Sequence, residues 1–203
     1  NRDTTMKKDI ERKGLRTWIE IDIKSFAHNY TVLKKSLPKS CKLMCVVKSN
    51  AYGHGFVGVA KEAQKMDADW IAVDSIIEAL ALREEGITKP ILVLGYTLPE
   101  MLPRAAALGI SNTVSTIELL SAIASTQLSQ ALKIHIKEDT GMHRQGFQEF
   151  QMQEVIEILK TLDSKIVVEG LFTHFAAAKD PLATDRTHAQ ISSFNIWVEG
   201  FVK

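Results

Sequence analysis

Three short stretches concentrate the residue types that can do covalent and acid–base chemistry. The first is Val46-Val47-Lys48-Ser49-Asn50-Ala51-Tyr52-Gly53-His54-Gly55, where a lysine ends an apolar run and a phenol and a glycine-rich turn follow. An amine partly desolvated at such a strand end loses affinity for its proton. The free amine then condenses with carbonyl compounds to form Schiff bases. The second stretch is Ile136-Lys137-Glu138-Asp139-Thr140-Gly141-Met142-His143-Arg144-Gln145-Gly146. Here Arg144 presents a rigid fork of donors suited to a phenolate or a carboxylate, and Lys137 and Asp139 are expected on one face of a continuing strand. The third is Thr173-His174-Phe175, whose imidazole could lie against a planar cofactor.

Each stretch has a plain alternative. A lysine stem can cover apolar surface with its head in water, a charged loop can simply be solvated, and a histidine can be a satisfied residue at the core edge. What favours chemistry is that all three fall at the carboxyl ends of strands that would lie close together.

The elements that position them follow from periodicity. Thr17 to Ile23 alternates apolar and polar residues as a half-buried strand does, and Ser25 stands where a helix cap belongs, ahead of Phe26, Tyr30, Leu33 and Leu37. From there short apolar runs alternate with helical patterns. Strands are expected at Leu43 to Val47, Trp70 to Val73, Ile91 to Leu94, Asn112 to Val114, Lys133 to Lys137 and Val167 to Phe172. Ser75 with Glu78, and Ser115 with Glu118, read as capping boxes. The last helix is expected to pack Ile191, Phe194, Val198 and Phe201. Such strand–helix units predict a parallel sheet covered by helices, either doubly wound or a (β/α)8 barrel. The absence of G-x-G-x-x-G and P-loop runs tilts the balance towards the barrel.

Composition narrows the partners. The formal net charge of +1, with 24% charged and 45% hydrophobic residues, describes a globular domain with no field to draw in nucleic acid or an anionic membrane. Cys41 and Cys45 read as reduced thiols on one strand face, poorly placed for a disulfide or a metal, so a cytoplasmic compartment is expected. No membrane span or signal-peptide core is visible. Residues 1–14 are polar and non-periodic and read as a tail or linker.

Taken in order, these motifs resemble the alanine racemase family. The lysine stretch is similar to that family's cofactor signature, Asp139-Thr140-Gly141-Met142 with Arg144 and Gly146 to its second hallmark, and Glu169-Gly170-Leu171-Phe172-Thr173-His174-Phe175-Ala176 to its third. Glu78 to Arg83 and Pro90 to Gly95 match as well, and the similarity runs from about Thr17 to the end. Ser49 replaces the usual alanine. His143 stands where glycine is common, a position at which positive φ or backbone clearance would matter.

The resemblance implies a (β/α)8 TIM-type barrel over residues 15–203, truncated after about six units and lacking a C-terminal β domain. It implies a pyridoxal 5'-phosphate enzyme interconverting L- and D-alanine by two-base proton transfer through a cofactor aldimine, with D-alanine destined for peptidoglycan. Lys48 would carry the cofactor and act as one base. Tyr52 would contact the phosphate, Leu94 would line the pocket and His174 would lie against the pyridine ring. Arg144 would donate to the phenolic oxygen or bind the substrate carboxylate, and Lys137 matches a lysine that is carbamylated in some members. The second base would be a tyrosine from the neighbouring subunit of a homodimer of longer chains. Two alternatives stay open, a serine or broad-specificity racemase and a non-catalytic pyridoxal-phosphate-binding barrel. Missing units would leave strand edges bare, so the 203-residue chain alone is expected to be marginal, aggregation-prone and inactive.

Overall fold

The structure, a computed structural model, describes residues 14–202; the expected tail therefore lies, save for Gly14, outside the described residues. Helix α1 (Ile23–Ser36) comes first. Six strand–helix units follow: β1 (Met44–Val46) and α2 (Phe56–Lys65), β2 (Trp70–Val73) and α3 (Ile76–Glu84), β3 (Ile91–Val93) and α4 (Leu102–Ala107), β4 (Ile110–Val114) and α5 (Ile117–Ser125), β5 (Leu132–Lys137) and α6 (Met152–Lys160), and β6 (Ile166–Phe172) and α7 (Thr184–Val202).

All six strands are parallel and lie in sequence order, β1-β2-β3-β4-β5-β6. A doubly wound sheet reverses its order at a switch point. This one never does, so each crossover turns the same way, as in a barrel wall. The sheet is the β/α architecture of a truncated TIM-type barrel, with β1 and β6 at its two edges. Val46 on β1 and Val167 and Val168 on β6 are correspondingly exposed.

The core lies between the sheet and its helices. Ile71, Val73, Ile91, Val93, Ile110, Ile134 and Ile136 from the strands meet Leu82, Leu102, Leu119, Ile123 and Trp197 from α3, α4, α5 and α7, all at 1% exposure or less. Burying each such side chain contributes about 1.5–3 kcal/mol, which is what clamps the strands into one frame. At the other end of the units Arg83 donates to the carbonyls of Ile87, Lys89 and Leu108, tying α3 to two loops.

Four local expectations are corrected. Residues 17–22 join no strand of the sheet, and Trp18 and Ile19 remain exposed; alternation alone cannot make a strand without a neighbouring ladder. Asp22, not Ser25, caps α1, its carboxylate accepting from the Lys24 and Ser25 amides. Thr116, not Ser115, caps α5. The buried residues of α7 are Gln190 and Trp197, while Ile191 and Val198 are exposed. The rotation has a polar cause. The Gln190 amide donates to Thr140 and to the His174 carbonyl and accepts from the Ala176 amide, a buried set of bonds that fixes which face points inward. The Ser75–Glu78 capping box is present as expected. Cys41 lies outside β1 and exposed, Cys45 within it, and both are free thiols.

Candidate active site

Lys48 follows β1 by two residues and opens an unusual turn. Ser49, Asn50, Ala51 and Tyr52 all have φ between 51° and 56°, a left-handed run without a glycine. That conformation costs about 1–2 kcal/mol per residue for side chains bearing a Cβ. Bonds from Ala51 to Val47, from Gly53 and Gly55 to the Asn50 carbonyl, and from Phe56 to the Asn50 side chain hold it. The glycines that follow, Gly53 and Gly55, also have positive φ. The turn throws the Lys48 side chain inward over the carboxyl ends of the strands, where its ammonium pairs with Asp74 at 3.1 Å. Asp74 directly follows β2, and its carbonyl accepts from the Gly95 amide. A Cβ on Gly95 would stand 2.5 Å from that oxygen, so glycine is required for β2 and β3 to close here.

The second stretch folds back on itself. The Asp139 carboxylate accepts from the amides of Gly141, His143 and Arg144. Burial opposes its charge, but these donors together hold the carboxyl below its ordinary value. Asp139 therefore organises the loop instead of sharing a strand face with Lys137. His143 takes φ 55°, so the backbone does need positive φ at this position and a histidine supplies it. Gly146 has φ 140°, and a Cβ there would lie 2.4 Å from the Asp139 nitrogen and 2.5 Å from the Glu138 carbonyl carbon. Gly146→Ala is expected to cost about 3 kcal/mol or more through backbone collision and strain. A melting temperature within a degree of the parent's would contradict this.

Lys137 is 4% exposed. Burial, then the nearby charges of Arg144 and Lys48, lower its pKa. Its amine donates to the Gln145 side-chain oxygen at 3.1 Å, and Gln145 in turn donates to Ser115. It also stands 5.6 Å over the Phe172 ring. His174, at the end of β6, is held below its usual pKa by burial and by the neighbouring Arg144, Lys137 and Lys48.

Lys48, Tyr52, Leu94, Lys137, Arg144 and His174 line one cavity of about 450 Å³. The six residues to which the resemblance assigns a role are thus at one mouth, while Asp139 and His143 do not line it. Asp74, Gln145 and Phe172, which also line it, were not singled out. Asp74 carried one usable signal, its place directly after a strand end; Gln145 looked like an ordinary loop amide until its partners were in view. With Lys48, Lys137 and Arg144 facing a single lining carboxylate, Asp74, the mouth carries excess positive charge and suits a small anion.

Fold and mouth together define the class: a parallel β/α barrel-wall protein whose site is built from strand carboxyl ends around a lysine. The family model described as alanine racemase, N-terminal domain, matches residues 21–203. Alanine racemase 2 of Oceanobacillus iheyensis is 42% identical over 178 residues, covering 86% of this chain and 44% of its own length. Alanine racemase of Citrifermentans bemidjiense is 37% identical over 189 residues, covering 90% and 50%. Among solved structures, alanine racemase of Clostridium difficile 630, in complex with cycloserine, superimposes with a TM-score of 0.85 at 36% identity, covering 92% of this chain and 51% of that one. The chain belongs to the alanine racemase family, through that family's N-terminal domain. It spans about half the length of these relatives.

Proposed function

We propose that this chain is the cofactor-bearing barrel part of an alanine racemase, acting on L- and D-alanine as a homodimer of longer chains. The observation that carries the proposal is the gathering of Lys48, Tyr52, Leu94, Lys137, Arg144 and His174 around one cavity. The donor set fits pyridoxal phosphate, which is planar, anionic and an aldehyde. Lys48 would hold it covalently through Nζ, Tyr52 would reach its phosphate and His174 would lie against its ring. Arg144 would donate to the phenolic oxygen or to the substrate carboxylate. When bound, the cofactor supplies an electron sink that makes the α-proton of an attached amino acid acidic.

The remaining roles fall to the protein. Nζ of Lys48 removes or returns the α-proton on one face, and inversion requires a second base on the other. The long cationic side chains at the mouth exclude loose water and hold the carboxylate in one orientation. Lys137, buried and with its positive charge disfavoured, is suited to carbamylation, which would convert its repulsion towards Arg144 into attraction. Residues 15–203 act as one domain, in a cytoplasmic enzyme supplying D-alanine for cell-wall peptidoglycan.

The test is an assay of the full-length protein, loaded with cofactor, against a panel of L-amino acids. D-Alanine should form fastest. No inversion of any substrate would reject the reading, and faster formation of D-serine would move it to a neighbouring racemase.

A further inference from the structure

Glu78 was legible only as half of a helix cap, yet its carboxylate reaches across two loops that carry the site. One oxygen accepts from the Ser49 amide at 2.8 Å. The other accepts from the Asp74 amide at 2.7 Å and the Ser75 amide at 3.3 Å. Ser49 is the residue directly after Lys48, and Asp74 is the partner of the Lys48 ammonium. One side chain therefore fixes the backbone on both sides of that ion pair.

We propose that Glu78 is a positioning residue for Lys48, clamping the left-handed turn after β1 to the end of β2 so that the amine points into the cavity. Two features of the structure require such a clamp. The turn has no glycine at its four left-handed positions, so its conformation must be held by outside contacts. Its other backbone bonds run within the turn and to α2, and the Glu78 bond links Ser49 to the β2–α3 junction. Both oxygens of Glu78 accept from N–H groups, a demand that only a carboxylate meets. An amide in its place can accept at one oxygen alone and turns a donor towards a donor.

This inference rests on the reading of Lys48 as the cofactor-bearing amine, and the test separates the two. Glu78→Gln is compared with Ser75→Ala in the full-length protein. The second variant weakens the same cap, because the Ser75 hydroxyl accepts from the Glu78 amide, but leaves the Ser49 and Asp74 acceptors in place. Incubation with pyridoxal phosphate, borohydride reduction and peptide mapping give the rate of labelling at Lys48; hydrogen exchange reports the Ser49 and Asp74 amides.

Glu78→Gln should slow labelling about tenfold, the scale of one charge-assisted hydrogen bond, and should deprotect at least one of the two amides. Ser75→Ala should label close to the parent rate. Equal labelling by Glu78→Gln and the parent, or unchanged exchange at both amides, overturns the proposal, as does slowing by both variants in step with their melting temperatures. Should the parent itself fail to label at Lys48, the cofactor reading falls, while the exchange measurement still decides whether Glu78 holds the turn.

Discussion

Replacing Lys48 by alanine is expected to abolish borohydride-fixed attachment of pyridoxal phosphate and to reduce alanine racemisation by the full-length protein by about a thousandfold or more. The substitution removes two functions at once. On the proposed reading, Nζ captures the cofactor's aldehyde and is the base for one face of the substrate; a positioned general base alone contributes about 10²–10⁴-fold. Stability should change little, since the Lys48 side chain is 27% exposed and its one ion pair among the described residues is with Asp74, whose side chain is 54% exposed. The separation of the two effects is the test. Peptide mapping after reduction should find the label on Lys48 in the parent and none in Lys48→Ala, with similar melting curves for both. A label on Lys137 in the parent would reassign the cofactor to the buried amine of the mouth. Substantial racemisation by Lys48→Ala would remove Lys48 from the chemistry altogether.

The second large effect concerns stability, and it comes from the residue between Lys137 and Asp139. Glu138 is 1% exposed, and among the described residues neither carboxylate oxygen has a hydrogen-bond partner. Glu138 directly follows β5 and is not among the residues that line the cavity. Burial pushes its pKa up to about 8. A raised acid works against the fold as pH increases. Below about pH 4.5 both folded and unfolded forms are protonated and Glu138 costs nothing through its charge. Between about 4.5 and 8 the unfolded chain ionises while the folded one keeps its proton, so stability falls steadily with pH; above 8 the loss is complete.

At pH 7 the accumulated penalty is on the order of 3 kcal/mol, at about 1.4 kcal/mol per pH unit. Glu138→Leu removes the ionisable group and should raise the melting temperature at pH 7 by about 6–12 °C, with a much smaller gain at pH 5. Glu138→Gln should flatten the same pH slope but gain less, because its amide would still be unpartnered. Melting curves from pH 5 to 9 decide the matter. Parallel profiles for the parent and both variants would show that Glu138 is not a buried, protonated acid.

These expectations differ in how much of their basis is visible in the chain itself. Lys48 could be placed at a strand end because Leu43 to Val47 is a short apolar run and the glycines of Gly53-His54-Gly55 announce a turn. The left-handed run between them could not be foreseen. Ser49, Asn50, Ala51 and Tyr52 each favour other conformations, and bonds within the turn together with the distant acceptor on Glu78 hold theirs. The Ser75–Glu78 capping box was legible because its partners are three residues apart; the reach of Glu78 to Ser49 was not, since nothing local records it. The face of α7 was misread for a related reason. Its apolar residues suggested Ile191, Phe194, Val198 and Phe201; Phe201 does pack against the core, but Ile191 and Val198 are exposed, since the amide bonds of Gln190 and the packing of Trp197 near Phe147 and Phe201 set the rotation.

Periodicity by itself determined where the six strand–helix units fall, that their strands are parallel, and that Lys48, Arg144 and His174 lie beyond strand carboxyl ends, because burial of an apolar face imposes a regular spacing; it misread residues 17–22, which have no ladder to join. Tertiary structure alone decided that the sheet runs in unbroken order, that Asp74 and Gln145 complete the mouth, and that Glu78 spans two loops. Those outcomes depend on contacts between residues distant in sequence. Such contacts leave no local pattern, since their energy exists only once the separate elements are packed together.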